Sequence, residues 1–365
     1  MRKTLLIVLS FLAAAVLLTG CQGGRTYQCE GAATDIRNAK AYDRAIENMM
    51  TYIEGEGATE PCARVMLFWA YAEKGDFTEA VRWRDEAVEM NPACQEEIDS
   101  LIIERRFFVK AQNMTIEAMN AGDYQNALDS AIFAQELDPN YYLPYYLAAE
   151  VYINLEIEAL NAGNEELAAE YGELAAEEYH TAIQKLHGQW KDPDSYYQPV
   201  KDNDAMRVYY RGADVLALTE KYDMAEEAID LALERFPDFF EIKMVKADIL
   251  VRQENNEEAE ALYEELIPLA EEKYENAEGN AKIIAGDDYV NLLDKVGVFY
   301  ITRNNLDPAD LQLAIEYLRT GFEIDPDNAT LVDHLNLVLN QLNFTADDAD
   351  WIRAVFEKWE EQHSE

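Results

Sequence analysis

The chain has 365 residues, with 30 Lys and Arg against 72 Asp and Glu, and a formal net charge of −42 at neutral pH. Such a polyanion repels nucleic-acid phosphates and anionic lipid head groups, so nucleic acid is excluded from the expected partners and the body is held off an anionic bilayer. Apolar residues make up 49% of the chain, which is enough for a core, and the length fits two ordinary domains or one long repeat array.

Arg2 and Lys3 precede an apolar run from Leu5 to Leu18 that closes on Leu18-Thr19-Gly20-Cys21. The run is too short for a spanning helix, and small residues before a Cys suit cleavage and thioether lipidation. It resembles the leader of a bacterial lipoprotein. That resemblance implies removal of residues 1–20, a lipid on Cys21 and a place in the bacterial cell envelope. Gln22 in place of an Asp favours the outer membrane where the host has two. Loss of Arg2 and Lys3 with the leader takes the formal charge from −42 to −44.

Residues 21–33 are poor in apolar side chains and contain three Gly, so they are expected to form a tether. A helix is predicted from about Thr34 to Tyr52, where Ile36, Ala39, Tyr42, Ile46 and Met49 recur at helical spacing, with Gly55 and Gly57 after its end. Cys29, Cys62 and Cys94 are 33 and 32 positions apart. One bridge among them is expected, three separate thiols being the alternative.

Four times an Ala is followed seven residues later by a small residue and five after that by Pro: Ala80/Ala87/Pro92, Ala127/Ala134/Pro139, Ala225/Ala232/Pro237 and Ala314/Gly321/Pro326. A seven-residue step is about two helical turns, so both small residues lie on one face where another helix can approach, and the Pro stops the helix. Each unit is therefore the second helix of a hairpin. Leu67 and Tyr71 on a preceding helix and turns at Gly75-Asp76-Phe77 and Gly122-Asp123-Tyr124 complete the pattern. Ala259 with Tyr263 marks a further unit, and Ala168 with Ala175 an irregular one. The terminal Pro residues are 47, 98 and 89 positions apart, so longer helices or insertions interrupt the period.

These residues resemble the tetratricopeptide repeat over most of the chain. The resemblance implies an all-α, right-handed solenoid of helical hairpins: an N-terminal array over 34–186, an irregular break over 187–204 with Pro193 and Pro199, and a C-terminal array over 205–345. Residues 346–365, where Trp351, Ile352, Val355, Phe356 and Trp359 form one apolar stripe, are predicted to be a capping helix.

No HExxH, GxSxG, GxGxxG or phosphate-cradling loop occurs, so neither an enzyme, a metal nor a cofactor is expected. In the resembled family the first helix of each hairpin lines a concave groove. By register this implies Val65, Trp69 and Glu73 in the first full unit, then Gln112, Ile116, Met119 and Asn120, Tyr146 and Glu150, and later Tyr210, Asp214, Met244 and Arg252. Such a groove is apolar and acidic, and fits an extended or helical peptide with apolar and basic side chains, presented by another envelope protein. The reading is a lipid-anchored adaptor or scaffold. The alternative is a solute- or glycan-binding lipoprotein, of the kind that serves a transporter, with its pocket around Trp190, Tyr196, Tyr197 and Tyr210.

Overall fold

The computed structural model describes residues 26–193, 195, 197–303 and 306–341. Cys21 and residues 346–365 lie outside them, as do Asp194 and Tyr196. Among the described residues the regular structure is entirely helical. In chain order the helices are α1 (Tyr27–Thr34), α2 (Tyr42–Ile53), α3 (Pro61–Lys74), α4 (Phe77–Met90), α5 (Cys94–Arg105), α6 (Phe107–Ala121), α7 (Tyr124–Leu137), α8 (Leu143–Asn161) and α9 (Glu165–Lys191). They continue as α10 (Asp202–Leu218), α11 (Tyr222–Arg235), α12 (Phe240–Arg252), α13 (Asn256–Asn276), α14 (Asn280–Thr302), α15 (Pro308–Ile324) and α16 (Ala329–Gln341). A π-helical turn, Asp35–Ala39, follows α1. None of these helices is long and apolar enough to cross a membrane. Two compact units meet in sequence between Val208 and Tyr209.

One turn recurs. Gly75, Gly122 and Gly163 have φ of +88°, +74° and +72°, and Glu220 and Glu254 adopt φ of +59° and +60° at the equivalent places. The next residue closes a six-residue loop onto the preceding helix: Asp76 N to Tyr71 O (3.0 Å), Asp123 N to Ala118 O (2.9 Å), Asn164 N to Ala159 O (2.9 Å), Lys221 N to Leu216 O (2.9 Å) and Asn255 N to Leu250 O (2.8 Å). This satisfies carbonyls that the helix end leaves open, and needs one left-handed residue, which Gly supplies without strain. In the first unit the same residue then caps the following helix, Asp76 accepting from Glu79 N, Asp123 from Asn126 N and Asn164 from Leu167 N.

Five residues beyond each left-handed position stands a buried Ala: Ala80, Ala127, Ala168, Ala225 and Ala259. Seven later comes Ala87, Ala134, Ala175, Ala232 or Leu266, also buried. The hairpins thus pack as the small-residue spacing predicts, and the irregular unit at Ala168 and the further one at Ala259, with Leu266 in place of the second small residue, belong to the series. In the last hairpin an added Cβ at Gly321 would lie 2.6 Å from Leu331 Cδ1, so α15 and α16 approach there as only Gly permits. Helical hairpins stacked in chain order within each unit give a tetratricopeptide-like, all-α fold.

The uneven spacing has named causes. The left-handed residues are 34 apart between Glu220 and Glu254, but 47 apart between Gly75 and Gly122, where α5 is an additional helix between hairpins. Long α9 (27 residues) and the non-helical residues before Asp202 widen the next step, and α13 and α14 (21 and 23 residues) widen the last.

Three expectations are corrected. The segment given as a tether contains α1, whose Cys29 is fully buried and bonded to Cys62 of α3. The single helix over 34–52 is interrupted, because the π-helical turn ends on Lys40 with φ +50° before α2 begins. The break expected from 187 starts at Asp192, α9 continuing through Lys191.

Candidate functional site

In the first unit, α3 is almost wholly buried, because α1, α2, the π-helical turn, α4 and α5 all pack on it. Val65 (0% exposed) and Trp69 (1%) are therefore core residues and do not line an open groove, which corrects the register-based expectation. The helices responsible precede and interrupt the hairpins, where the repeat register has no equivalent. Trp69 is bracketed by the Arg37 and Arg105 guanidinium groups, 5.3 and 5.7 Å from its ring centre. Its Nε1 donates to Glu73 Oε1 at 3.4 Å. Glu73 is further engaged by Arg105, with N to O 2.5 Å, and by Lys110 Nζ at 3.8 Å. Burial lowers the Lys110 pKa, Glu73 opposing and Arg105 reinforcing. Glu73 thus closes an internal ionic junction between α3, α5 and α6.

The next two first helices present a different surface. On α6, Ile116 is 44% exposed, Asn120 is exposed, and Gln112 and Met119 are partly buried, with Gln112 Nε2 lacking an acceptor. On α8, Tyr146 and Glu150 are partly buried, the Tyr179 hydroxyl donating to Glu150 Oε1 at 2.5 Å and the Tyr146 ring packing edge-on against Tyr179. α6 and α8 contact each other. Beyond Lys110, neither helix contains a Lys, Arg or His, whereas Glu117, Glu150, Glu156 and Glu158 supply carboxylates. Burial raises the Glu156 pKa, and pushes that of Glu178 on α9 up to about 7 despite the 2.7 Å hydrogen bond from Gln135 Nε2, Glu177 adding to the rise. This face is apolar and anionic, and Ile157 (50% exposed) and Leu160 (52%) extend it beyond the positions that the repeat register assigns.

In the second unit, Tyr210 and Asp214 on α10 share one electrostatic neighbourhood with Asp248 on α12 and Lys295 on α14. Burial raises the Asp214 pKa, opposed by Lys295 and reinforced by Asp248, with Arg211 and Arg252 also opposing. Tyr210 is raised by burial and then by Asp214. Lys295 Nζ meets Asp248 Oδ2 at 2.5 Å, and the Tyr263 hydroxyl donates to Asp248 Oδ1 at 3.4 Å. Register therefore brings Tyr210, Asp214 and exposed Arg252 together, and misses Lys295, whose helix opens without a matching repeat signature. Met244 is 4% exposed and belongs to the core, a second correction.

One other place, the break, was expected to carry a pocket, and the structure shows a hollow elsewhere. Near the break, Tyr197 stacks on Tyr141 at 4.9 Å and donates to Asp138 Oδ1 at 2.6 Å, so ring and hydroxyl serve to fasten this segment to the α7–α8 turn. A hollow of about 390 Å³ lies between α4, α5 and α7, lined by Arg84, Asp85, Gln95, Asp99, Ile102, Glu136 and Leu137. Its polar groups pair with one another, Arg84 with Asp85 and Glu136 and Gln95 with Asp99. Among the described residues no group of three or more His, Cys, Asp or Glu is placed to hold a metal ion.

No family model and no curated protein matches the chain. Solved structures do resemble it. A tetratricopeptide repeat protein from Parabacteroides merdae is 15% identical, with a TM-score of 0.34 over 76% of this chain and 97% of that one. A human IFIT1 dimer with PPP-AAAA is 14% identical, with a TM-score of 0.37 over 86% and 72% of the two chains. Yeast Tom70 is 16% identical, with a TM-score of 0.22 over 91% and 90%.

Proposed function

We propose that the protein is an exported adaptor, anchored through a lipid on Cys21 to the bacterial cell envelope, which holds a basic, partly apolar segment of another envelope protein. The observation that carries this reading is the face of α6 and α8, whose own residues beyond Lys110 include no cation and where Ile116, Met119, Tyr146 and Glu150 combine apolar contact with negative charge. A partner segment with Lys or Arg beside apolar residues matches it in both respects, whereas nucleic acid does not. The Cys29–Cys62 bridge supports the compartment, because structural disulfides persist where the surroundings are oxidising. The face offers association and no positioned nucleophile or base, so stable binding without turnover is expected.

The test is to cross-link tagged protein in its native membranes, purify it, and identify what accompanies it. Ile116→Lys/Ile157→Lys, which puts cations into this apolar, acidic face at exposed positions, serves as the comparison. One defined envelope protein, enriched with the wild type and lost from the variant, supports the adaptor. Equal enrichment from both, or none from either, removes it. Intact mass spectrometry of the purified chain decides the anchor separately, since a chain beginning at a lipidated Cys21 is required.

A further inference from the structure

α8 carries a second pattern besides the repeat register. Tyr146, Glu150, Ile153, Ile157 and Leu160 follow one another in steps of four, three, four and three residues, so they form one straight seam along the helix. Its exposure grows toward the C-terminal end: Tyr146, Glu150 and Ile153 are partly buried, while Ile157 and Leu160 are half exposed. α8 has 19 residues where α3 and α6 have 14 and 15, so its last turn is additional to an ordinary first helix. Gln112, Ile116 and Met119, at steps of four and three, make a matching seam on α6.

Two adjacent seams of this kind form the hole side of knobs-into-holes packing, with the knobs left to come from elsewhere. An extended strand presents alternate side chains at about 6.6–6.8 Å and does not match a 3.5-residue repeat, whereas a helix does. The charge selects the occupant further. Glu117 and Glu158 are exposed beside Ile116 and Ile157, and the stretches from Gln112 to Ala121 and from Leu143 to Asn161 contain no cation, so basic residues flanking an apolar stripe are complementary. We infer that the paired α6 and α8 seams, together with the α8 overhang at Ile157 and Leu160, are the landing site for a basic amphipathic helix of a partner protein.

The inference rests on the adaptor reading and goes further, in naming the conformation of the partner segment and two anchor positions outside the repeat register. It is tested by fluorescence anisotropy on the full mature chain, with three synthetic 18-residue probes. One is a Leu/Lys peptide with Leu at heptad a and d, one has the same composition scrambled, and one is the Leu/Glu counterpart. The striped basic peptide should bind at least tenfold more tightly than the scramble, and the acidic one should not bind. Ile157→Ser/Leu160→Ser should lose at least tenfold for the striped peptide, whereas Ile283→Ser/Ile284→Ser, at exposed apolar positions in the other unit, should leave it unchanged. Equal affinity for stripe and scramble overturns the inference, as does an unaffected Ile157→Ser/Leu160→Ser variant. If cross-linking captures a partner through the α6–α8 face while the striped peptide fails, the helix is refuted and the adaptor stands. A striped peptide that binds as described while cross-linking recovers no partner supports the seam and refutes the adaptor.

Discussion

Gly297 of α14 faces Leu318 of α15 so closely that a Cβ placed on it would lie 2.6 Å from both Leu318 Cγ and Cδ2 and 3.2 Å from Cδ1. Carbon atoms settle at about 3.5–4.0 Å, and Leu318 is fully buried, so the methyl cannot be accommodated by a swing into solvent. Gly297→Ala should therefore incur an overpacking cost of about 1–3 kcal/mol, set against a gain of about 1 kcal/mol from helix propensity. Leu318→Ala alone should cost about 2–5 kcal/mol. In the Leu318→Ala background the offending atoms are gone, and Gly297→Ala should then stabilise, giving a coupling of about 1–3 kcal/mol. Gly188 of α9 is the reference, because an added Cβ there meets nothing within 4 Å, and Gly188→Ala should stabilise by up to about 1 kcal/mol. Urea unfolding followed by far-ultraviolet circular dichroism measures all four variants. If Gly297→Ala stabilises as much as Gly188→Ala, or has the same effect with Leu318 present and absent, the close approach of α14 and α15 is wrong.

The other predictions concern the first unit. Replacing both Cys29 and Cys62 by Ala opens a loop spanning 33 residues and should lower unfolding stability by about 3–4 kcal/mol, read from the urea midpoint; a change below about 1 kcal/mol would contradict a formed bridge. Glu178 titrates near 7 when folded and near 4.5 when unfolded, so the folded state binds its proton more tightly. Stability should fall as pH rises from about 4.5 to about 7, and Glu178→Gln should flatten that part of the profile; an unchanged slope would show that this carboxyl is not desolvated. Asp123→Ala removes the cap on α7 and should cost about 1 kcal/mol in thermal unfolding, while Asp123→Asn keeps an accepting oxygen and should cost much less.

The repeating part of the fold was legible because it depends on local rules. A left-handed turn with a capping residue and two small residues seven apart are single-helix signals, and the small pair located even the unit at Ala168, while Ala259 with Tyr263 located the unit that has Leu266 as its second residue. The departures come from long-range packing. Nothing near Cys29 marks it as buried, because the cysteine it is bonded to, Cys62 of α3, is 33 positions away. Trp69 and Val65 occupy groove positions by register and core positions in fact, since α1, α2 and α5 cover them. Trp69 is consequently a poor choice for testing a binding face: its loss would disturb the core and the Glu73 junction together. On α6 and α8 no such helices intervene, so register and exposure agree at Ile116 and Asn120. Lys295 was missed because its relation to Asp214 and Asp248 is a contact between successive first helices.

The central claim is that the α6–α8 face receives a protein, and site-specific photo-cross-linking in native membranes tests it most directly. A photoreactive residue at Ile116 or Ile157 should give one discrete adduct of the same partner, with none from Ile283, a still more exposed apolar position in the other unit. Adducts of equal pattern from all three positions, or none from Ile116 and Ile157, would contradict the account.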